Sequence, residues 1–413
     1  MSRTSGPLTM ATLPSHVSPD MVRPFPFHEG QSTTEHPFHG LIPKLLDGPD
    51  AFYTLDGYHH MGPLWVFRRY RDVATLFSDT EHFSCKDNAP FSELEGGNWH
   101  LVPSESDPPA HAFHRAMVNP LFTPKRMAEM EHSVREVAIE TIEAFKDRGE
   151  CDFMADMALK FPIAVFLNLM NLPMSQVDQF LEWETGLVRA STLEQSRNAT
   201  VEVVGFLREV IEARRKNPSD DLISYGLTTQ LHGRRFDEDE LLGFCFNLFI
   251  GGLDTVTTNM GWQARHLAEH LDHQATLRTD PSKIPVAVEE LLRRYAAVTP
   301  NRRCIKEVTV GDVRLMPGDI IALPTPLANN DASVFESPLE VRLDRNPRHL
   351  AFATGIHRCV GAPLARRELI IALQEVLTRL PEFRIKPGVE IVSHIGPIIQ
   401  VDSLPLVWDV RVS

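Results

Sequence analysis

One uninterrupted helical stretch, from Asp237 to about His270, constrains the fold more than any other feature of this chain. Asp237, followed three residues later by Glu240, is a capping-box pattern in which each residue satisfies an orphan amide at the helix start. The helical character then runs for roughly 33 residues, about 50 Å at 1.5 Å per residue. A helix of that length crosses the full width of a domain, so the rest of the chain must pack around it. Its apolar run, Leu241 to Leu253, contains Asn247 and falls short of the roughly 18 residues that a membrane span needs. The helix is therefore expected inside a protein core.

The surrounding pattern is mainly helical. Val201 to Arg215 predicts an amphipathic helix ended by Asn217-Pro218, Asp72 to Phe77 the start of another, and Gly361 to about Leu380 a last one closing against Pro381. Strands are expected at Leu64-Trp65-Val66-Phe67, Val308-Thr309-Val310 and Ile320-Ile321-Ala322-Leu323, the last two joined through the turn signature Pro317-Gly318-Asp319. The fold class is thus mainly α with minor β-sheets. With Asp plus Glu 55 against Lys plus Arg 41, the formal charge of −14 argues against a protein that coats nucleic acid. At 43% hydrophobic residues the chain can fill a large core, which excludes disorder throughout. Residues 1–25 are a polar leader, expected to be disordered and to be neither signal peptide nor anchor. Residues 26–413 are expected to form a single domain. The five cysteines never form a C-x-x-C pair. That pattern fits a reducing cytoplasm and leaves room for one cysteine to serve chemistry.

Cys359 is the candidate. It lies in Phe352-Ala353-Thr354-Gly355-Ile356-His357-Arg358-Cys359-Val360-Gly361, a glycine-bracketed loop that runs directly into a helix. Amides at a helix start carry partial positive charge and stabilise a thiolate. Gly355 and Gly361 permit tight turns and close backbone approach to something flat, while His357 and Arg358 add positive charge beside the sulfur. Taken alone, such a residue is a buried loop cysteine near a helix cap. With Leu364-Ala365-Arg366 the stretch spells F-x-x-G-x-H-x-C-x-G-x-x-L-A-R, which resembles the haem-thiolate loop of the cytochrome P-450 family. Ala353 departs from the glycine that bacterial members usually carry there.

The resemblance covers nearly all of the chain from about Pro26. It is strongest to the bacterial camphor-type members, through Gly251-Gly252-Leu253-Asp254-Thr255-Val256, Glu289-Glu290-Leu291-Leu292-Arg293-Arg294 and Leu404-Pro405-Leu406-Val407-Trp408. It implies a triangular helical prism around a buried haem b, with the Cys359 thiolate as axial ligand of the iron and Phe352 and Gly361 shaping the loop. Gly251 and Gly252, each costing roughly 1 kcal/mol against alanine in a helix, would open a groove for dioxygen and substrate. Asp254 and Thr255 would be the catalytic pair, the alcohol hydrogen-bonding oxygen and the acid relaying protons from solvent. His111 and Arg115, four apart on one helix face, fall with Arg302 and His357 where haem propionate ligands lie, and charge-assisted hydrogen bonds suit that role. Glu290 and Arg293, by default an ordinary surface pair, are expected to be buried and to meet Arg345, holding the cysteine loop in position.

For the substrate, the resemblance puts Trp99 at the place of a tyrosine that donates to the substrate ketone in camphor-type members. Its bulk disfavours camphor itself. The loop from Phe83 to Trp99 is longer than theirs, and Phe83, Gly251, Val298, Pro397 and Ile398 complete the expected lining. Asn247, one turn before Gly251, either anchors a substrate oxygen or bonds to backbone or water. The expected substrate is a small terpenoid or norisoprenoid with one oxygen, such as an ionone-like ketone. No flavin or iron–sulfur motif is present, so electrons are expected from a two-iron ferredoxin, served by a separate NADH-dependent flavin reductase. The ferredoxin would dock on a basic patch of Arg69, Arg115 and Arg358 of a monomeric protein. Two other readings stay open. One is a haem-based sensor without turnover, against which Asp254 and Thr255 argue. The other is a zinc hydrolase built on His266-Leu267-Ala268-Glu269-His270, an H-x-x-E-H pattern expected on a solvated face.

Overall fold

The computed structural model describes residues 13–28, 31–55, 57, 62–190 and 192–410. Its principal helices are α1 (Ala110–Val118), α2 (Pro124–Glu143), α3 (Lys160–Leu169), α4 (Val177–Val188), α5 (Leu193–Lys216), α6 (Glu238–Glu269), α7 (Ile284–Arg294) and α8 (Ala362–Arg379). The long helix α6 forms as its sequence dictates, and its capping box is complete. The Glu240 amide donates to the Asp237 carboxylate at 2.8 Å, and the Asp237 amide donates to the Glu240 carboxylate at 3.0 Å. Helix α5 starts eight residues before the predicted Val201, because Thr192 caps it by accepting from the Gln195 amide at 3.2 Å.

The largest sheet has five short strands, β1 (Ala51–Thr54), β2 (Leu64–Phe67), β3 (Phe83–Ser84), β4 (Asn301–Cys304) and β5 (Ile320–Ala322), in the order β1-β2-β5-β4-β3. Only the β2–β5 pairing is parallel. The expected partnership of residues 308–310 with 320–323 does not occur. Val308–Val310 instead pairs with Val313–Leu315 across a two-residue turn at Gly311, whose φ of 57° lies in the left-handed region. All three residues of β5 are buried, which suits the interior of the larger sheet. Two three-stranded sheets join distant segments: Gln31–Thr33 with Ser393–Ile395 and Gln400–Val401, and Glu150–Asp152 with Pro405–Trp408 and Phe383–Ile385.

The leader expectation needs correction over its second half. Val17 and Phe25 are buried, the Arg23 amide donates to the Tyr53 carbonyl at 2.9 Å, and His16 Nε2 lies 2.9 Å from the Asp319 carboxylate. A few widely spaced apolar residues are enough to bind this polar stretch to the sheet. Residues 1–12 lie outside the described residues.

Helix α6 joins two hydrophobic clusters. Its first half gives Phe244, Phe246 and Phe249 to a cluster with α3, α4 and α5; its second half gives Val256, Met260 and Trp262 to another with α2, α7 and α8. Each such buried side chain contributes about 1.5–3 kcal/mol, which outweighs the roughly 1 kcal/mol lost at each mid-helix glycine. The glycines fall where one cluster hands over to the other. By length and composition α6 is the one helix among the described residues that can cross a membrane, but 67% of its apolar window is buried inside the protein.

Helices α7 and α8 are tied by Glu289, which accepts from Arg366 Nε at 2.6 Å and Nη2 at 3.0 Å and lies 3.1 Å from His349 Nε2. Burial opposes ionisation, yet the hydrogen bonds from His349 and Arg366 pull the carboxyl from 4.5 down to about 2. A carboxyl lowered on folding stabilises the protein above its unfolded pKa and loses that stabilisation as pH falls through the folded value. The shift is worth about 3 kcal/mol. Glu289→Gln is therefore expected to be less stable by about that amount at neutral pH. Denaturant titrations across the acid range should show the deficit shrinking below about pH 4.5 and vanishing near the folded pKa of about 2.

Candidate active site

A cavity of about 330 Å³ lies between the middle of α6 and the loop before α8. Gly251, Gly252, Thr255, Val256 and Asn259 form one wall, and Phe352, His357, Cys359 and Gly361 form the other. Cys359 is exposed to this space, and its thiol is raised by burial. The Gly361 and Ala362 amides at the start of α8 oppose that rise, as do Arg115 and Arg366. The loop holds its shape without the sulfur. The Cys359 amide donates to the Phe352 carbonyl at 3.0 Å, and Arg115 Nη1 donates to the Arg358 carbonyl at 2.9 Å. Gly355 has a φ of 72°, and a Cβ there would sit 2.9 Å from Ser78 Cα, so both backbone and space demand glycine. Ala353 also has a positive φ, 54°. An alanine in this region carries a penalty of roughly 1–2 kcal/mol, so the departure at Ala353 strains the backbone rather than the sulfur.

Nitrogen donors gather at one edge of the cavity. The His111 and His357 rings are 4.3 Å apart, and both line the cavity with Arg115. Burial drives His111 down to about 4, with Arg115 and His114 adding to it, and His357 down to about 3, with Arg302, His111 and Arg115 adding to it. His111 Nε2 is buried without a partner. The nearest carboxylate, Asp107, is engaged by the Ser84 hydroxyl and by the Cys85 amide at 3.0 Å. Arg302 is not among the lining residues. It packs over the Phe77 ring at 5.3 Å and donates to the Asn301 carbonyl at 2.7 Å, reaching His357 only electrostatically.

On α6, the Thr255 hydroxyl donates to the Gly251 carbonyl at 3.2 Å, and Asn259 Nδ2 donates to the Thr255 carbonyl at 2.7 Å. Asp254 faces away from the cavity, buried, with Oδ1 accepting from Gln400 Nε2 at 3.1 Å. Glu290 grips Arg293 through two contacts of 2.8 Å, both side chains fully buried, and Arg345 Nε approaches Glu290 at 3.6 Å. The structure brings these three together.

A family profile described as Cytochrome P450 matches residues 163–395. A probable cytochrome P450 127A1 of Sinorhizobium fredii is 34% identical over 402 residues, covering 96% of this chain and 97% of the relative. A steroid C26-monooxygenase of Mycobacterium tuberculosis is 35% identical over 290 residues, 68% of this chain and 78% of the relative. Among solved structures, cytochrome P450 CYP101C1 superposes with a TM-score of 0.86 at 34% identity, covering 96% of this chain and all of that one; CYP101J2 gives 0.85 at 31% over 96% and 99%. The chain belongs to the cytochrome P450 family.

A P450 binds haem through a cysteine thiolate and acts as a monooxygenase, and the residues here fit that group. A Cβ added at Gly251 would meet nothing within 4 Å, so no protein atom uses the space that glycine leaves open. The donor edge of the cavity holds a partnerless buried nitrogen on His111 beside the Arg115 guanidinium, donors that would suit haem propionates.

Several expected substrate contacts do not line the cavity. Trp99 is buried against Phe246, and its indole N–H donates to Glu95 at 3.1 Å. Phe83 is held in β3 opposite Cys304. Pro397 gives its carbonyl to the Thr299 amide at 2.8 Å, and Ile398 forms a bridge with Val298; of Pro397, Ile398 and Val298 only Val298 reaches the lining. Asn247 does line the cavity, but its amide also serves the loop before α1, donating to the Val102 carbonyl at 3.1 Å and accepting from Ser104 at 2.9 Å. The P450 lining includes Ser104, Phe166, Leu248 and Asn259, which sequence reasoning missed. Asn259 was within reach, since Gly251, Thr255 and Asn259 repeat every four residues on one helix face. Phe166 comes from a separate helix and leaves no sequence signal.

The zinc pattern is overturned. His266 is buried, with its two ring nitrogens 2.9 Å from Tyr295 Oη and His273 Nδ1, and Glu269 accepts from Arg265 at 2.8 Å. Among the described residues, the one His, Cys, Asp or Glu group close enough to share an ion is Cys85, Asp107 and His357, where Arg302 adds positive charge.

Proposed function

We propose that this P450 inserts one oxygen atom into a C–H bond of a small terpenoid or norisoprenoid, an ionone-like ketone in preference to camphor. The observation that carries the substrate class is the distal part of the cavity. Phe122, Pro162, Phe166, Leu248 and Val298 make it apolar, and Asn247 with Ser104 makes one polar spot. Asn247 uses one of its two amide hydrogens on Val102, which leaves the other to donate to a single ketone oxygen.

Haem, when bound, supplies the chemistry that activates dioxygen with two electrons, one oxygen atom entering substrate and the other leaving as water. The chain does the rest. Gly251 leaves space above the cysteine loop, and the Thr255 hydroxyl, held to the Gly251 carbonyl, presents its oxygen to that space. Asp254 holds a proton close to it on the same helix, and the apolar wall excludes water. Electrons come from a two-iron ferredoxin fed by a separate NADH-dependent flavin reductase, with the protein a cytoplasmic monomer. Arg69 does not serve the docking patch: it pairs with Asp50 at 2.6 Å and Asp331 at 3.0 Å, and Arg115 faces the cavity. The proposed acidic partner meets Arg358 and Ile356, both exposed on the cysteine side.

Titrating the ferric protein with β-ionone is expected to give a saturable shift of the Soret band toward the high-spin position. A shift with fatty acids and none with ionones or monoterpenoids would sink the substrate assignment.

A further inference from the structure

Glu184, on α4, is 3% exposed, and neither of its carboxylate oxygens has a hydrogen-bonding donor. Asp254, 2% exposed, leaves Oδ2 in the same condition. The two carboxyls lie within hydrogen-bonding reach of one another, at the contact of α4 with α6. Around them are Arg189 at the end of α4, Gln400, and His394 and Asp402 from the C-terminal strands and their connection. Arg189 is the nearby guanidinium, and its Nε and Nη2 are buried without a hydrogen bond. One fixed cation thus faces three carboxyls, Glu184, Asp254 and Asp402. Two buried carboxylates in contact cannot both ionise, and a proton between them turns a clash of lone pairs into an O–H···O bond.

We propose that Glu184 and Asp254 hold one proton between them in the resting protein, with Glu184 the positioning residue that keeps Asp254 loaded. The proposal rests on the role assigned above to Asp254 and Thr255. When the shared proton sits on Asp254 and is released toward Thr255, water supplies one proton to Glu184, which shares it again with Asp254 Oδ2. One proton enters for each delivered, and no electrons move. Burial raises both carboxyls; the negative charge of Asp254 raises Glu184 further, and Arg189 opposes the rise in each. Because such a pair titrates as a unit, its apparent pKa belongs to both groups.

Infrared spectra of the ferric holoprotein at neutral pH, without substrate or ferredoxin, test this directly. Glu184→Gln and Asp254→Asn are each expected to lose a protonated-carboxyl C=O band that the wild type shows, because the surviving acid beside Arg189 ionises. Glu184→Asp should retain the band. Glu368, buried and raised to about 8, contributes the same band to every protein and cancels in the difference. A wild-type minus Glu184→Gln spectrum without that loss would overturn the proposal. Loss in one variant only would place the proton on a single carboxyl and overturn sharing. Asp254→Asn reads the pair from its other side should Glu184→Gln take up no haem. A wrong substrate assignment leaves all these spectra unchanged, so the two failures are distinguishable.

Discussion

Reduced Cys359→Ala protein under carbon monoxide is expected to lack the strongly red-shifted Soret band of the wild type, and its NADH-driven turnover should fall to background. The structure makes this a clean test of ligation. The loop is pinned by the Cys359 amide on Phe352, by Arg115 on Arg358 and by Gly355 against Ser78, so removing the sulfur leaves its support in place. The other four cysteines are buried and none lines the cavity, although Cys85 lies beside His357. The Cys85 and Cys304 thiols are pushed up to about 11, and Cys151 and Cys245 are raised too, chiefly by burial. A red-shifted band that survived the substitution would refute Cys359 as the ligand.

Glu290→Ala should cost about 3–5 kcal/mol in denaturant unfolding, the range found when one partner of a buried ion pair is removed. Glu290 accepts two hydrogen bonds from Arg293 and one from the Arg342 amide at 3.1 Å, and Arg293 donates to the carbonyls of Asn329, Pro338 and Glu340. Truncation strands a guanidinium that is fully buried. The segment that loses its anchor, residues 329–345, leads into the cysteine loop, so haem retention should fall together with stability. A deficit below about 1 kcal/mol, the scale of an exposed pair, would show that the trio carries little.

What could be read from the sequence divides along a physical line. The capping box of α6, the glycine-bracketed cysteine loop and the Glu290–Arg293 spacing are local patterns in which neighbouring residues determine the geometry. Trp99, Pro397 and Ile398 rest on the family resemblance alone, and their contacts are set by partners far away in sequence, Phe246, Thr299 and Val298. Asn247 was recognised as facing the cavity from helical periodicity. Its bonds to Val102 and Ser104 depend on a loop some 145 residues earlier, which no periodicity reveals. Arg69 was counted as a free charge because Asp331 lies 262 positions away. Glu184 looked like one acid among many on α4 until the fold set it against Asp254.

The sheets carry a consequence for how the molecule is made. Gln31–Thr33 pairs with Ser393–Ile395, and Leu64–Phe67 with Ile320–Ala322. At a synthesis rate of about 5–20 residues per second, the first of these strands waits roughly twenty to seventy seconds for its partner to leave the ribosome. Until then its edge is open and its apolar neighbours, Phe25 and Phe27, have no core to enter. Long-range pairing of this kind folds slowly and leaves the nascent chain prone to aggregation. Slower growth at low temperature, or more chaperone, should raise soluble yield more than any substitution near the cavity, because the vulnerable moment comes before a cavity exists.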